Sequence, residues 1–359
     1  MPGRTRTVSR VVEEPSVELG WDAWFDRERA DLGLTGPVGR VAQVDRGWAT
    51  VLATLDDERR MALEPGADVA VGDWVAIDAE HDRVGDVLPR RSSLARRDAG
   101  GRARAHVLAA NVDTIFLVHS LAHPPKVRRL ERELVLAFES GASPVVVLNK
   151  SDLATDLPTA VGLGEEIALA VPVHAVSAKT GAGLEKLHAS TAGHHTVALL
   201  GPSGAGKSTL VNTLMGEDVQ RIGAVRAFDQ KGRHTTSAAR LVPLPDGGFL
   251  VDTPGLRAVA LWSEGGGLDR AFDDVTALAD GCWFADCRHD TEPDCAVRTA
   301  VEEGRLDPVR LASWQHLTAE LDRLATERAE TDRAARRGRP PRLVDSDADD
   351  VAPEDDEED

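Results

Sequence analysis

The spacing of apolar residues begins with short runs typical of strands. Between residues 39 and 88 these runs alternate with turn-forming pairs such as Gly72-Asp73, and about five strands are expected. Many short strands in so little chain are typical of a small barrel, and an OB-fold is the natural candidate. Upstream, Trp21, Trp24 and Phe25 predict one short packed helix. The apolar runs of the barrel region lie at residues 39–44, 48–55, 69–70 and 74–77.

From residue 114 the pattern changes to alternating strands and helices. The predicted strands are 114–118, 144–148, 173–176, 196–200 and 248–251. The predicted helices are 130–140, 162–170, 184–189 and one that covers 210–214. This alternation favours a mostly parallel sheet with helices on both faces, and ligands bind such sheets at the carboxyl ends of the strands. Beyond residue 262 the chain is rich in Gly, Asp and Cys, and residues 307–333 have the apolar spacing of a charged helix.

A glycine-rich loop follows the strand at 196–200 and precedes a helix. Its sequence fits the phosphate-loop pattern of two spaced glycines followed by Lys-Ser. The backbone N–H groups of such a loop point inward at an anion, aided by the partial positive charge of the helix N-terminus. Lys207 would reach the β- and γ-phosphates, and Ser208 would hold Mg²⁺. An ordinary glycine-rich turn is the alternative, which the flanking strand and helix disfavour. The loop consists of Gly201, Pro202, Ser203, Gly204, Ala205, Gly206, Lys207 and Ser208.

Two short motifs at the ends of neighbouring strands predict which base is bound. Asn149-Lys150-Ser151-Asp152 ends one strand, and an Asp carboxylate can accept hydrogen bonds from guanine N1–H and N2. Adenine offers no such pair of donors, so the wrong base would leave a carboxylate unpaired. Ser177-Ala178-Lys179 ends the next strand, where the Ala178 N–H can meet guanine O6. Alone, the first motif could be a turn; together with a phosphate loop the two motifs predict GTP rather than ATP.

Two downstream segments complete the predicted site. Asp252-Thr253-Pro254-Gly255 ends the strand at 248–251, so that Asp252 would hold Mg²⁺ through water and the Gly255 N–H would sense the γ-phosphate. Within residues 232–236, Thr235 or Thr236 would complete the Mg²⁺ shell. The predicted GTP-binding residues are Asn149, Lys150, Asp152, Ser177, Ala178, Lys179, Gly201, Pro202, Ser203, Gly204, Ala205, Gly206, Lys207, Ser208, Thr209, Asp252 and Gly255. The predicted magnesium residues are Ser208, Thr235, Thr236 and Asp252.

The order of these motifs resembles that of a circularly permuted GTPase. The base selector and Ser-Ala-Lys precede the phosphate loop, whereas an ordinary small GTPase begins with the phosphate loop. Together with the barrel, the Gly-Arg-His-Thr-Thr switch and a downstream cysteine cluster, this order closely resembles the ribosome small subunit-dependent GTPase A family over roughly residues 37–325. The resemblance implies an OB-fold β-barrel, a permuted α/β P-loop GTPase domain and a C-terminal α-helical zinc-binding domain. It also implies GTP hydrolysis stimulated by the 30S subunit, late in maturation of that subunit.

The predicted domain limits follow from these patterns. They are an N-terminal extension at 1–36, the barrel at 37–95, the GTPase domain at 96–262, the zinc-binding domain at 263–338 and a disordered acidic tail at 339–359.

All three cysteines lie in one segment, spaced with a histidine as C-x4-C-x-H-x5-C. Thiolates and imidazole are the ligands of closed tetrahedral zinc, and four ligands leave no open position, so the metal would be structural. Buried free thiols with an incidental histidine are the alternative. The resemblance implies one zinc ion at Cys282, Cys287, His289 and Cys295.

The position after Asp-x-x-Gly, where many GTPases carry a water-orienting glutamine, is Leu256. Leucine cannot hydrogen-bond water, and the family shares this replacement. His234 in the threonine switch is the best substitute, unless it faces solvent or RNA. We therefore predict slow intrinsic turnover that the small subunit accelerates. The predicted catalytic residues are His234, Lys207, Thr235 and Thr236.

The net charge of −18 hides two basic clusters. Residues 345–359 are almost wholly acidic, whereas the arginines could contact the phosphates of 16S rRNA. No long apolar run or signal-peptide core occurs, so we expect a cytoplasmic protein that binds neither membrane nor DNA. We also expect a monomer, with GTP/GDP and the 30S subunit as partners. The clusters are Arg90, Arg91, Arg96, Arg97, Arg102 and Arg104, and Arg333, Arg336, Arg337, Arg339 and Arg342.

Three other functions stay open at this point. The first is a GTP-dependent switch for another RNA or protein assembly, which shares every motif above. The second is a P-loop kinase or ATPase, against which Asp152 argues. The third is a non-catalytic RNA-binding module, against which the set of Lys207, Ser208 and Asp252 argues.

Overall fold

The computed structural model describes residues 15–97, 105–216, 239–252 and 266–336. Its first elements are a 3-10 turn (Val17–Leu19) and helix α1 (Ala23–Asp31). Asp22 caps α1 by accepting hydrogen bonds from the N–H groups of Trp24 and Phe25. Trp21 and Phe25 are buried against Trp74 of the following barrel. The predicted aromatic helix is confirmed, and its aromatic side chains pack against the barrel at Trp74.

Five strands then form a closed barrel. The strand order is β1-β2-β3-β5-β4, with β4 pairing back onto β1 and β3 parallel to β5. This confirms an OB-like barrel. The apolar pattern missed β3 and β5, because each is polar and turns essentially one large side chain, Met61 or Val84, into the core. Residues 69–70, predicted as a strand, form a buried loop instead. The strands are β1 (Val38–Asp45), β2 (Trp48–Thr54), β3 (Asp57–Ala62), β4 (Trp74–Asp78) and β5 (Arg83–Val87).

A hairpin separates the barrel from the central sheet. Strand β6 (Ser93–Arg97) pairs antiparallel with β7 (Ala105–Ala110). Residues 89–104 are polar and rich in arginine in the sequence, yet β6 is part of the packed structure, because Leu94 is buried in the core. Gly72 in the barrel approaches β7 so closely that a Cβ there would lie 2.1 Å from the Ala110 carbonyl oxygen.

The central sheet has the order β10-β9-β8-β11-β13-β12. Only β12 runs antiparallel to its neighbour; the other pairs are parallel, as predicted. All five predicted strands are confirmed, and β12 is an addition. The strands are β8 (Thr114–Ser120), β9 (Ser143–Asn149), β10 (Val173–Ala175), β11 (Thr196–Leu200), β12 (Arg240–Pro243) and β13 (Phe249–Asp252). The helices are α2 (Val127–Glu139), α3 (Leu157–Ala168), α4 (Glu185–Thr191) and α5 (Lys207–Met215).

Arg40 of β1 lies at the junction of the barrel and the central sheet. It is 2% exposed, and burial lowers its pKa to about 10. Its guanidinium donates to the Leu19 carbonyl (2.6 Å) and to Thr196 Oγ1 (2.7 Å). Nearby, Gln43 of β1 pairs with Arg240 of β12, so that the barrel and the central sheet form one continuous hydrogen-bonded sheet.

In the described part of the chain four helices follow the sheet, and the first (Gly267–Ala271) and the last (Pro308–Arg336) pack on α2. Arg310 donates to Glu131 Oε1 (2.9 Å) on α2, and to Asp274. Arg132 of α2 pairs with Glu320. The helix predicted at 307–333 is confirmed as α9, and in the described parts of the chain no helix is both long and apolar enough to cross a membrane. The helices are α6 (Gly267–Ala271), α7 (Asp273–Ala279), α8 (Ala296–Glu302) and α9 (Pro308–Arg336).

Gly267 sets the distance between α6 and α2. A Cβ at this position would lie 2.6 Å from the Glu139 nitrogen and 2.7 Å from the Val135 carbonyl oxygen. Both are backbone atoms, so the helices must move apart to accept a methyl group. We predict that Gly267→Ala lowers the free energy of unfolding by about 1–3 kcal/mol, as overpacking does.

Chemical denaturation of the full chain measures this effect. Gly162→Ala is the matched control, because Gly162 lies in α3 with nothing within 4 Å of a built Cβ. Alanine should stabilise that helix by up to about 1 kcal/mol. Equal unfolding midpoints for the two variants would contradict the close packing of α6 on α2.

Candidate nucleotide and metal sites

The phosphate-loop sequence connects the end of β11 to the start of α5. Gly201 has φ +136°, and a Cβ there would lie 2.1 Å from the Val118 carbonyl oxygen. Gly206 has φ +92°, and its Cβ would lie 2.4 Å from Asn149 Nδ2. Both pattern glycines therefore occupy positions that no other residue fits. The Lys207 ammonium group donates to the carbonyls of Gly201 (2.5 Å) and Pro202 (2.6 Å), which holds a positive charge over the loop.

Asn149 joins the loop at the end of β9 to the phosphate loop. Its side chain is 1% exposed and donates from Nδ2 to the Ala205 carbonyl (2.9 Å). Its Oδ1 accepts the N–H of Ala178 (3.1 Å). Lys150, in the left-handed region at φ +63°, donates to the Gly204 carbonyl (2.7 Å). The structure thus brings three separate predicted motifs together at one edge of the sheet.

Asp152 lies beside Ser177, whose hydroxyl donates to Asp152 Oδ1 (2.6 Å). This hydrogen bond, with the nearby positive charges of Lys179 and Lys150, lowers the pKa of Asp152. The carboxylate is therefore ionised and accepts hydrogen bonds only. Since Ser177 occupies one oxygen, Oδ2 is the atom best able to accept from a ligand.

The N–H of Ala178 is engaged in a way that sequence reasoning did not anticipate. It donates to Asn149 Oδ1, so guanine O6 would have to share or replace this hydrogen bond. The Ala178 carbonyl accepts from Thr213 Oγ1 (3.2 Å) of α5. Thr213 supports the Ser-Ala-Lys loop from the phosphate-loop helix, and no motif in the sequence identifies it.

The remaining predicted residues differ in what the structure describes. Ser203, Ser208 and Thr209 are exposed beside Lys207, at the loop and the first turn of α5. Asp252 is exposed at the carboxyl end of β13, next to the phosphate-loop strand β11. Four predicted residues lie outside the described residues: His234, Thr235, Thr236 and Gly255.

Two of the six arginines in the basic cluster near residue 90 serve the fold. Arg90 forms an ion pair with buried Asp73 (2.7 Å). Arg91 pairs with Asp22 and lies over the rings of Trp24 and Phe25. These two arginines, which the sequence offered as possible phosphate contacts, are therefore engaged within the protein.

The four predicted metal ligands converge in space. One ligand atom from each of Cys282, Cys287, His289 and Cys295 lies within 4.8 Å of the others. Cys282 Sγ is 3.8 Å from Cys295 Sγ and 3.6 Å from His289 Nδ1, which is 3.4 Å from Cys295 Sγ. Tetrahedral zinc, with Zn–S of about 2.3 Å and Zn–N of about 2.0 Å, requires ligand separations of roughly 3.5–3.8 Å. The three distances among Cys282, His289 and Cys295 fit these separations, and the Cys287 ligand atom lies within 4.8 Å of each of the others.

The surroundings of the cluster also suit a metal. Burial lowers the pKa of His289, which favours the neutral imidazole that binds metals. Burial works to raise the pKa of Cys282, but N–H groups of Val297 and Ala296 that donate to its sulfur lower it overall. Gln315 of α9 donates to the His289 carbonyl (2.8 Å), so the cluster is attached to the long helix.

A model of the RsgA GTPase family matches residues 87–262. The small ribosomal subunit biogenesis GTPase RsgA of Streptomyces avermitilis is 44% identical over 87% of this chain and 87% of its own length. Its namesake from Streptomyces coelicolor is 44% identical over 92% of this chain and 93% of its own.

Two solved structures have the same architecture. YjeQ from Thermotoga maritima superposes with a TM-score of 0.62 at 28% identity, over 79% of this chain and 98% of its own. YloQ, described as a circularly permuted GTPase, superposes with a TM-score of 0.58 at 24% identity, over 80% and 95% of the chains, and supports the fold alone.

The fold class predicted from the motif order is confirmed: an OB-like barrel, a permuted GTPase domain and a C-terminal region with a Cys/His cluster that fits zinc. With relatives that are 44% identical over most of its length, this chain belongs to the RsgA family of circularly permuted GTPases.

Proposed function

We propose that this protein hydrolyses GTP to GDP and phosphate, and that it acts in the biogenesis of the small ribosomal subunit. The observation that carries the proposal is the hydrogen-bonded connection of Asn149, Ala178 and Ala205, which joins the base-reading loops to the phosphate loop. The relatives' name, small ribosomal subunit biogenesis GTPase, supports the cellular role.

The base-reading loops discriminate guanine by hydrogen-bonding chemistry. Asp152 accepts from the guanine N1–H and N2 amine, and Ser177 keeps the carboxylate oriented. At the opposite edge of the base, guanine O6 shares or replaces the hydrogen bond that the Ala178 N–H makes to Asn149 Oδ1. Lys150 lies over the purine ring while its ammonium group contacts the phosphate loop. A base without two adjacent donors leaves the carboxylate unpaired, which excludes adenine.

The phosphate end of the site neutralises charge during attack of water on the γ-phosphate. Lys207 contributes its ammonium group, and the loop N–H groups contribute fixed dipoles. Ser208, Asp252 and Thr235 or Thr236 would hold Mg²⁺, which would supply further positive charge when bound. The Gly255 N–H senses the γ-phosphate.

At the position where many GTPases carry a glutamine that orients the attacking water, this chain has a leucine. Leu256 offers no hydrogen bond to water, so we assign the orienting role to His234. Catalysis then depends on how the small subunit positions His234 when it binds, which makes intrinsic turnover slow. We propose GTP, GDP and the 30S subunit with its 16S rRNA as the partners of this protein. We also propose a monomer that works in the cytoplasm.

One structural zinc ion belongs to the four-ligand cluster in this proposal. The donors Cys282, Cys287, His289 and Cys295 fill a tetrahedron and leave no position for substrate. The ion therefore holds the segment between α7 and α8 against α9 and takes no part in hydrolysis.

Replacement of Asp152 tests the guanine site. Asp152→Asn should weaken GDP binding roughly 100-fold or more. The Asn amide places its own N–H donors opposite the guanine N1–H and N2 amine, which are also hydrogen-bond donors. Xanthosine diphosphate, which carries an oxygen in place of the N2 amine, should bind this variant better than GDP. Calorimetric titration with both nucleotides measures the exchange.

The control for this change is Asp156→Asn. Asp156 lies four residues away and caps α3 through Thr159, so this variant should bind GDP like the wild type. Unchanged GDP affinity in Asp152→Asn would remove Asp152 from the base site.

GTP turnover with and without purified 30S subunits tests the cellular role and His234 together. Wild-type turnover should rise on the subunit, whereas His234→Ala should bind GTP normally and lose about 10²-fold or more of the stimulated rate. Phosphate release measures both. If subunits neither stimulate nor co-sediment with the wild type, the protein is a switch for another assembly; if His234→Ala is stimulated normally, another group orients water.

Removal of one thiol tests the zinc centre. Cys287→Ala should lose zinc and unfold the segment at residues 280–295, because structural zinc contributes directly to folding. GDP affinity should stay close to wild type, since the nucleotide loops lie elsewhere on the sheet. Elemental analysis and nucleotide titration report the two effects separately.

Thr291→Ala, an exposed change in the same segment, is the matched control and should retain one zinc per chain. Stoichiometric zinc in Cys287→Ala would contradict the ligand assignment.

A further inference from the structure

Two large aromatic side chains are exposed at the tip of the Cys/His segment. Trp283 is 78% exposed and Phe284 is 42% exposed, although both follow directly after the ligand Cys282. Their backbone is tied down, since Trp283 N donates to the Asp294 carbonyl (3.4 Å) and Cys287 N to the Phe284 carbonyl (3.3 Å). Exposed tryptophan on a fixed loop is a frequent anchor of interfaces.

The charges around this aromatic tip are mostly negative. Within residues 280–294 there are five carboxylates and one cation, Arg288, which reaches toward Asp322 at 4.0 Å. Glu292 serves the loop itself, because its carboxylate accepts the N–H groups of Arg288 and Asp290. The other four carboxylates are exposed, and their side chains form no ion pair with the described residues. They are Asp280, Asp286, Asp290 and Asp294.

This combination of charge and aromaticity favours one kind of partner. Aromatic faces attract ammonium and guanidinium groups and also pack against the aliphatic stems of lysine and arginine. Carboxylates around the rings add Coulomb attraction for the same cations. A nucleic acid would stack on the rings but would bring its phosphates close to four negative charges, which opposes binding.

We propose that Trp283 and Phe284, with the surrounding carboxylates, form a docking surface for a lysine- and arginine-rich segment of a partner protein. The partner's cations lie over the two rings, and its main chain crosses the acidic rim. That this segment belongs to a protein of the small ribosomal subunit rests on the function proposed above, whereas the binding of a cationic segment does not.

A peptide titration tests the surface by itself. The full-length, zinc-loaded protein is titrated against a fluorescent peptide of four Lys-Arg repeats, with an eight-nucleotide oligouridylate as the RNA probe. The double variant Trp283→Ala/Phe284→Ala should bind the peptide at least fivefold more weakly than the wild type. The matched control is Leu169→Ala, another exposed apolar side chain, which should bind the peptide like the wild type and corrects for general attraction to an acidic chain.

Zinc content is measured in every variant, so that loss of binding is not confused with loss of the fold. The double variant Asp286→Asn/Asp290→Asn keeps both aromatic rings and removes two negative charges. It should also bind the peptide more weakly than the wild type. Equal peptide affinity in wild type and the aromatic double variant overturns the proposal. Tighter wild-type binding of the oligouridylate than of the peptide, lost in the aromatic double variant, overturns it as well and assigns the tip to RNA.

A crosslinking experiment identifies the partner on the ribosome. Benzoylphenylalanine at position 283 of the full chain is irradiated with purified small subunits and a non-hydrolysable GTP analogue, with the same group at position 169 as control. A ribonuclease-resistant crosslink to a lysine- and arginine-rich peptide is expected. A crosslink to rRNA overturns the protein assignment, and so does the lack of any crosslink when subunits stimulate the GTPase. If they do not stimulate it, the proposed function fails and the peptide titration alone decides the surface.

Discussion

The Arg40 guanidinium, enclosed at the junction of barrel and sheet, is the interaction on which the arrangement of the molecule depends. A buried cation is stable only with acceptors around it, and here they come from different elements: Leu19 before α1, Asn111 between β7 and β8, and Thr196 at the start of β11. Asp113 supplies the compensating negative charge and also accepts the N–H of Thr196 (2.7 Å). Because β11 leads from Thr196 to the phosphate loop, the barrel is attached to the strand that carries the nucleotide site.

Most of the central sheet could be predicted because its strands are buried on both faces and therefore read as continuous apolar runs. The exceptions have physical reasons. In the barrel, strands β3 and β5 turn polar side chains to solvent, and in β12 of the central sheet only Leu241 is buried. The motif residues themselves were predictable, since a loop at a strand end has few ways to bind a phosphate or a base. Thr213 was not, because its hydrogen bond to Ala178 depends on how α5 lies against a loop 35 residues earlier.

Charge was the least predictable property. Arg90 and Arg91 look like phosphate-binding residues in the sequence, yet their partners Asp73 and Asp22 lie 17 and 69 residues upstream. Arg310 likewise finds Glu131 across 179 residues. The Cys/His cluster is the opposite case: its four ligands lie within 14 consecutive residues, so local spacing was sufficient to predict their convergence. For ion pairs and metal ligands, the sequence predicts partners that lie close together along the chain and misses those that the fold brings together from distant positions.

The permuted strand order has a consequence for synthesis of the chain on the ribosome. The barrel closes with residues 38–87 alone, so it can form as soon as they emerge. Strand β8 can pair with β9 next, but its other edge waits for β11, which is made about 80 residues later and to which β13 is added afterwards. Strand β8 is buried along nearly its whole length, and residues 115–118 in it form an apolar run. While roughly the next 80 residues are made, the nascent protein therefore carries an unpaired hydrophobic strand edge, which favours aggregation or binding of a chaperone.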